Sequence, residues 1–192
     1  MKRFELINSL IKHFNYKTYL EIGYRKGHCF NRVIIDDKQS VDPDNTWGPT
    51  FALTSNEFFE KNSKIYDIIF IDGLHLHEQV RKDIANGLKF LSENGTIVCH
   101  DMLPVNEGEQ IREYTPGKVW TGDVWKEWVR LRMTDNTLDM KVVKTDHGCG
   151  IIRKGKQELV PLRENLTFED LKQNYKSFLN IISVDEFMRL YG

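Results

Sequence analysis

The residues of this 192-residue chain whose types suit chemistry collect where apolar runs stop. In YDIIFIDGLHLHEQV, residues 66–80, four apolar side chains from Ile68 to Ile71 lead into Asp72, His75 and His77. An unbroken run of that kind predicts a strand buried on both faces of a parallel sheet. Asp72 then falls at the strand's carboxyl end, the edge where open α/β sheets bind ligands. A carboxylate and an imidazole at that edge can hold a cation or move a proton; a turn Asp ahead of a helix is the other reading. The pattern recurs at GTIVCHD, where the strand Thr96 to Cys99 runs into His100 and Asp101. Alternation along a strand points neighbours to opposite sides, which makes His100 a strand-end histidine rather than a ligand.

Two earlier strand ends carry a different chemistry. TYLEI, residues 18–22, runs into Gly23, and Glu21, Gly23 and Gly27 form an E-x-G-x-x-x-G pattern. Such glycines suit a tight turn where the backbone approaches a ligand at a helix start, so YRKGHCFNRVII is expected to be a turn and a helix. About twenty residues after Gly23, QSVDPD ends a second strand at Asp42. A carboxylate there is where nucleotide-binding folds hold ribose hydroxyls; Asp44 is the alternative acceptor. Thr54, Ser55 and Asn56 are good helix caps, and a capping hydroxyl at that point would sit beside the cofactor pocket.

Positioning these groups requires a particular set of elements. Phe4, Ile7, Leu10, Ile11 and Phe14 fall on one stripe of an amino-terminal helix over residues 1–15. A third strand is expected at Phe51 to Leu53, a helix from about His77 to Leu91 with Leu76, Val80, Ile84 and Leu88 inward, and an Asn94-Gly95 turn before the Thr96 strand. Residues 102–122 form a polar loop longer than structural connections usually are. Its Tyr114 and Trp120, with Trp47 from another loop, suit stacking on a flat-faced substrate or ring. Asp123 reads as the cap of the next helix, in which Trp125 and Trp128 face the core. Leu138 to Val143 and Gly150 to Ile152 read as an antiparallel pair. A helical tail over 162–192 carries capping boxes at Thr167/Asp170 and Ser183/Glu186, and its apolar stripe packs on the domain or on a second subunit.

The fold class that follows is α/β: a Rossmann-like, mostly parallel seven-stranded sheet with helices on both faces and an antiparallel last strand, in a single domain with its core at about 16–155. A net charge of -1 gives no global attraction to nucleic acid or anionic membrane. No segment reaches the roughly 20 apolar residues of a membrane span. Cys29, Cys99 and Cys149 are odd in number and free of CxxC spacing, which fits a reducing cytoplasm and neither a disulfide framework nor a zinc knuckle.

EIGYRKG, SVDPD, YDIIFIDGLH and GTIVCHD, at four successive strand ends, resemble the class I S-adenosylmethionine-dependent methyltransferases. Within these, the pairing of IDGLH with HD is similar to the macrocin-type sugar O-methyltransferases of natural-product and polysaccharide pathways. The resemblance covers about residues 15–155. It implies S-adenosylmethionine held by Glu21, Gly23, Tyr24, Gly27, Asp42, Ser55 and Asp72, with Asp42 on the ribose. It further implies His75 as the base, with Asp72 beside it in the catalytic pair. Asp72 and Asp101 would be ligands of a divalent ion such as Mg2+, and the acceptor a small molecule or glycan. A homo-oligomer is compatible with it. His28 departs from the small residue often found after the second glycine, and His100-Asp101-Met102 offers one acid where metal-dependent relatives have two. Two other readings remain: a metal-dependent hydrolase built from Asp72, His75, His77, His100 and Asp101, and a catalytically silent binding protein of the same fold.

Overall fold

A computed structural model describes residues 1–192 as one seven-stranded sheet in the order β2-β1-β3-β4-β6-β5-β7. The strands are β1 (Thr18–Ile22), β2 (Asp37–Val41), β3 (Tyr66–Ile71), β4 (Leu91–Cys99), β5 (Leu138–Val143), β6 (Cys149–Lys154) and β7 (Ile181–Ile182). The helices are α1 (Arg3–Phe14), α2 (Ser55–Lys61), α3 (His77–Lys89), α4 (Trp125–Thr134), α5 (Phe168–Leu179) and α6 (Val184–Tyr191).

Side-chain alternation divides the core in two. Leu20, Ile22, Ile69, Ile71, Ile97 and Cys99 face one way and pack on α2 to α5; Tyr19, Ile68, Phe70 and Val98 face the other way and pack on α1 and α6. The stripe of the carboxyl-terminal tail thus has its partner within the chain: Leu171, Phe178 and Leu179 join the first cluster and Phe187 and Tyr191 the second. Both predicted capping boxes form.

Several expectations are corrected. The antiparallel strand expected at Gly150 to Ile152 is present as β6, antiparallel to both β4 and β5, but a two-residue strand not read from the sequence, β7, follows it and runs parallel to β5. The helix expected after the glycine turn is only a 3-10 turn at Phe30–Arg32. Beyond it the Asn8 side chain of α1 holds the Arg32 carbonyl and the Ile34 amide, fixing an extended backbone in place of a helical one. The strand at Phe51 to Leu53 shrinks to one bridge, Val41 to Phe51, because the Ser40 and Thr50 hydroxyls take the backbone amides that a ladder would use. Asn94-Gly95 is no turn but a bulge inside β4: Leu91 pairs with Tyr66 and Thr96 with Ile68, so four residues are gathered opposite one.

Sheet polarity places the site. β1 sits between β2 and β3, the point where strand order reverses direction, and a crevice opens there at the carboxyl ends. The ladder continues one residue past the strands, with Gly23 donating to Val41, Asp72 to Ile22 and His100 to Ile71. Gly23, Asp72 and His100 are thereby held side by side.

Candidate functional site

A cleft of about 740 Å³ lies along this edge. One half is lined by Gly23, Asp42, Thr54 and Ser55, the other by Asp72, His75, His100, Asp101, Tyr114 and Trp120. Gly23 has φ +93°, and a Cβ there would stand 2.1 Å from the Asp72 carbonyl oxygen, so only glycine allows β1 and β3 to end in contact.

Asp42 presents its carboxylate to the cleft with its geometry fixed: one oxygen accepts from the Arg25 amide at 2.7 Å, the other from the Asp44 amide at 2.9 Å. Asp44 instead caps the short turn at Thr46. Thr54, not Ser55, caps α2. The Ser55 hydroxyl accepts from Gln79 at 3.1 Å, and Gln79 also donates to buried Asp83 at 2.9 Å. Trp47 is half exposed, lies under the Lys26 ammonium and does not line the cleft, contrary to its expected stacking role.

A second cleft, of about 300 Å³, shares Arg3, Gly23, Arg25 and Asp72 with the first and is lined also by Glu21, Tyr24 and exposed His28. Gly27, at φ +68°, is packed against Tyr24 and Asn31 and shapes the loop without lining either cleft. Glu21 is buried and accepts from the Tyr19 hydroxyl. Burial pushes its carboxyl up to about 8, against the pull of that hydrogen bond.

Acids and imidazoles interleave at the centre. His75 Nε2 lies 3.3 Å from Asp72 Oδ1, and its Nδ1 lies 3.1 Å from the Trp120 carbonyl oxygen and 3.4 Å from Asp101. Its ring stacks on Trp120 at 4.7 Å. Burial works to lower the His75 pKa, but Asp72, Asp101 and the carbonyl together raise it. His100 Nδ1 sits 3.0 Å from Asp101 and 3.3 Å from Asp72. His100 therefore faces the site, contrary to the expected alternation: Asp101 has φ +63°, and this left-handed turn brings two successive side chains to one side. Burial disfavours the imidazolium, but Asp72 and Asp101 outweigh it and raise His100 to about 10. Asp72 is held well below the usual carboxylate range, burial being outweighed by His100, His75 and Arg3.

Two residues of this centre escaped the sequence reading. Arg3, the first residue of α1, donates from Nη1 to Asp72 Oδ2 at 2.6 Å, and from Nε at 3.0 Å and its amide at 2.9 Å to Asp146 Oδ2. Asp146 comes from the turn between β5 and β6. The only signal in the sequence is an Asp in a glycine-containing turn, TDHGCG.

His77 does not join the cluster. Asp123 accepts from its amide at 2.9 Å and approaches its Nδ1 at 2.8 Å; it therefore caps α3 from a distance rather than its own helix, α4. Arg112, from the 102–122 loop, binds Asp123 at 2.7 Å and Glu78 at 3.0 Å. The five-residue hydrolase cluster is thus not assembled. The three cysteines are buried, separate thiols.

With this geometry in place, residues 41–102 match the family described as "Methyltransferase domain". The sheet superposes on a Staphylococcus aureus protein described as a candidate caffeoyl-CoA O-methyltransferase, with TM-score 0.62, 21% identity, and 79% of this chain and 82% of that one covered. This is the class I methyltransferase fold. The Streptomyces achromogenes O-methyltransferase TomG, solved with S-adenosylmethionine, shares this fold at TM-score 0.58, 12% identity and 79% coverage of each chain. So does a Bacillus cereus O-methyltransferase solved with S-adenosylhomocysteine, at TM-score 0.54, 15% identity and 78% of each. Over 148 residues the chain is 24% identical to the uncharacterized protein y4gI of Sinorhizobium fredii, covering 76% of this chain but only 14% of that protein's length. No helix of the protein is long and apolar enough to cross a membrane.

The two groups that the resemblance implies fare differently. The glycine cradle at Gly23 and the fixed carboxylate of Asp42 suit S-adenosylmethionine. For a divalent ion the donors are of the right kind, since Asp72, His75 and Asp101 offer atoms within 4.8 Å of one another. Arg3, however, already lies 2.6 Å from one Asp72 oxygen, and His100 lies 3.3 Å from the other. As arranged, these residues do not fit a divalent ion.

Proposed function

We propose that the protein is an S-adenosylmethionine-dependent O-methyltransferase whose acceptor is a sugar or glycoconjugate hydroxyl, as in the macrocin-type branch. The observation that carries this reading is the division of one cleft: Gly23, Asp42 and Ser55 on one side, and Asp72 with His75 under Trp120 on the other. The O-methyltransferase neighbours with bound cofactor support the first half of it.

When bound, S-adenosylmethionine supplies a methyl group already activated by its sulfonium. The chain's own residues then have to hold the acceptor oxygen in line and remove its proton. Asp42 offers two acceptor oxygens to a pair of vicinal ribose hydroxyls, and Gly23 lets the backbone come close. In the deprotonated ring His75 Nδ1 donates to the Trp120 carbonyl, leaving Nε2 as the atom that takes the acceptor's proton. The imidazolium so formed lies between Asp72 and Asp101, which stabilise it. Tyr114 and Trp120 line this half of the cleft with their ring centroids 5.5 Å apart. Their apolar faces suit the C–H face of a sugar ring.

The test is a calorimetric titration with S-adenosylmethionine and S-adenosylhomocysteine, followed by mass spectrometry of sugar and phenolic acceptors for the mass of one added methyl. Binding of both ligands, with transfer to a sugar hydroxyl, is expected. In His75→Ala the cofactor affinity should stay within about threefold, while turnover falls by about 10²–10⁴. No cofactor binding by the folded protein overturns the reading, and transfer confined to phenols overturns the acceptor class.

A further inference from the structure

We propose that Arg3 is the resident cation of the reaction centre: the amino-terminal helix delivers its guanidinium to the place on Asp72 that a divalent ion would take. The inference rests on the methyltransferase reading of the cleft, but its observations are independent of the cofactor.

Arg3 is held as a fixed part of the centre, not as a surface side chain that happens to reach it. Three bonds converge from it on two acids: Nη1 on Asp72, and both Nε and the backbone amide on Asp146. Asp146 is 7% exposed and Asp72 16% exposed at the side chain, so the pair is shielded from bulk water. The helix bearing Arg3 is locked by the burial of Leu6, Ile7 and Leu10 against the sheet. The turn bearing Asp146 is strained: Asp146, His147 and Gly148 follow one another at φ +44°, +62° and +90°. Non-glycine residues keep such a backbone only where their surroundings enforce it, and such strain gathers at functional positions. Here the enforcement is visible, since the Met102 and Leu103 amides donate to the Gly148 and His147 carbonyls. The strained turn thus ties the Asp146 carboxylate, and through it Arg3, to the segment that follows Asp101.

A divalent ion coordinates carboxylate oxygens at about 2.0–2.6 Å. The Arg3 nitrogen stands 2.6 Å from Asp72 Oδ2, within that shell, so an ion at this oxygen would have to sit beside a fixed positive charge or displace it. Guanidinium cannot give up its proton to make room. The same substitution recurs at the second group of metal-ligand types, His77, Glu78 and Asp123, where Arg112 lies on both acids. In both clusters an arginine supplies the countercharge.

The test is Mn2+ binding, followed by electron paramagnetic resonance and calorimetry, on the folded wild type, Arg3→Gln, Asp72→Asn, Asp146→Asn and the double variant Arg3→Gln/Asp72→Asn. The wild type should show no saturable Mn2+ site below millimolar concentration and unchanged methyl transfer after chelation. Arg3→Gln should gain one Mn2+ site at least tenfold tighter, lost again in the double variant. Asp146→Asn, which only loosens the guanidinium, should show a smaller gain and keeps the test open should Arg3→Gln not fold. A tight Mn2+ site in the wild type that Asp72→Asn removes would overturn the proposal, as would a failure of both folded Arg3→Gln and Asp146→Asn to gain one. Because Mn2+ binding is read without the cofactor, loss of the methyltransferase reading would show instead in the titration with S-adenosylmethionine.

Discussion

Glu21 shows how one residue links the sheet to solution conditions. Its carboxyl is nearly inaccessible, and burial raises it from the ordinary 4.5 to about 8. Between these values the folded chain keeps a proton that the unfolded chain releases, so stability must fall as pH rises from about 4.5 to about 8 and level off beyond. Below 4.5 both states are protonated and Glu21 contributes no slope. The total is on the order of a few kcal/mol at most. In Glu21→Gln this part of the slope should vanish, which denaturant titrations of both proteins at pH 5, 7 and 8.5 measure; parallel curves would show that Glu21 is ionised in the fold throughout. At this scale the sequence was informative about Asp72, Asp101 and His75, because an abrupt end to an apolar run marks a strand end. It was uninformative about Arg3 and Asp146. These lie 69 and 74 residues from Asp72 along the chain, and only the packing of α1 and the left-handed turn at Asp146 bring them to it.

At the scale of elements, the 102–122 loop is organised as a cover over His75. Trp120 stacks on that ring, while the Thr121 and Gly122 amides donate to the Glu109 carbonyl and fold the loop on itself. A Cβ on Gly122 would meet the His75 carbonyl oxygen at 1.9 Å, so the loop's return is pressed against the start of α3. Arg112 is the clamp, reaching from the loop to Glu78 of α3 and to Asp123. Arg112→Ala should raise amide exchange across 105–120 and raise the acceptor KM several-fold. The melting temperature should move little, because the loop contributes few residues to either apolar core. Exchange measured by mass spectrometry checks this, and unchanged protection would show that Arg112 clamps nothing. The strands of this fold were legible because burial on both faces leaves an unbroken apolar signature. The helix expected after Gly27 was not, since a side chain from another element, Asn8, decides the conformation there. The missing third strand has the same kind of cause, the Ser40 and Thr50 hydroxyls replacing a ladder that composition alone predicts.

At the scale of the whole molecule, α1 serves two functions that sequence alone kept apart. Its apolar stripe was readable, but as a generic amphipathic helix; in the fold it closes one face of the sheet and carries Arg3 into the reaction centre. Leu6, Ile7 and Leu10 are fully buried and Ile11 is 8% exposed. At about 1.5–3 kcal/mol for each such side chain, their burial is worth about 6–12 kcal/mol. A domain's entire stability is about 5–15 kcal/mol. Removing residues 1–14 would also expose Ile68, Phe70 and Val98, which form the opposite wall of the same cluster. The truncated chain should therefore lose its cooperative thermal transition rather than survive as a trimmed, inactive enzyme. Differential scanning calorimetry with near-ultraviolet circular dichroism distinguishes the two outcomes. A cooperative transition within a few degrees of the intact protein would mean that the sheet holds without α1. Its loss would make the delivery of Arg3 inseparable from folding, so that the centre cannot form without its own cation in place.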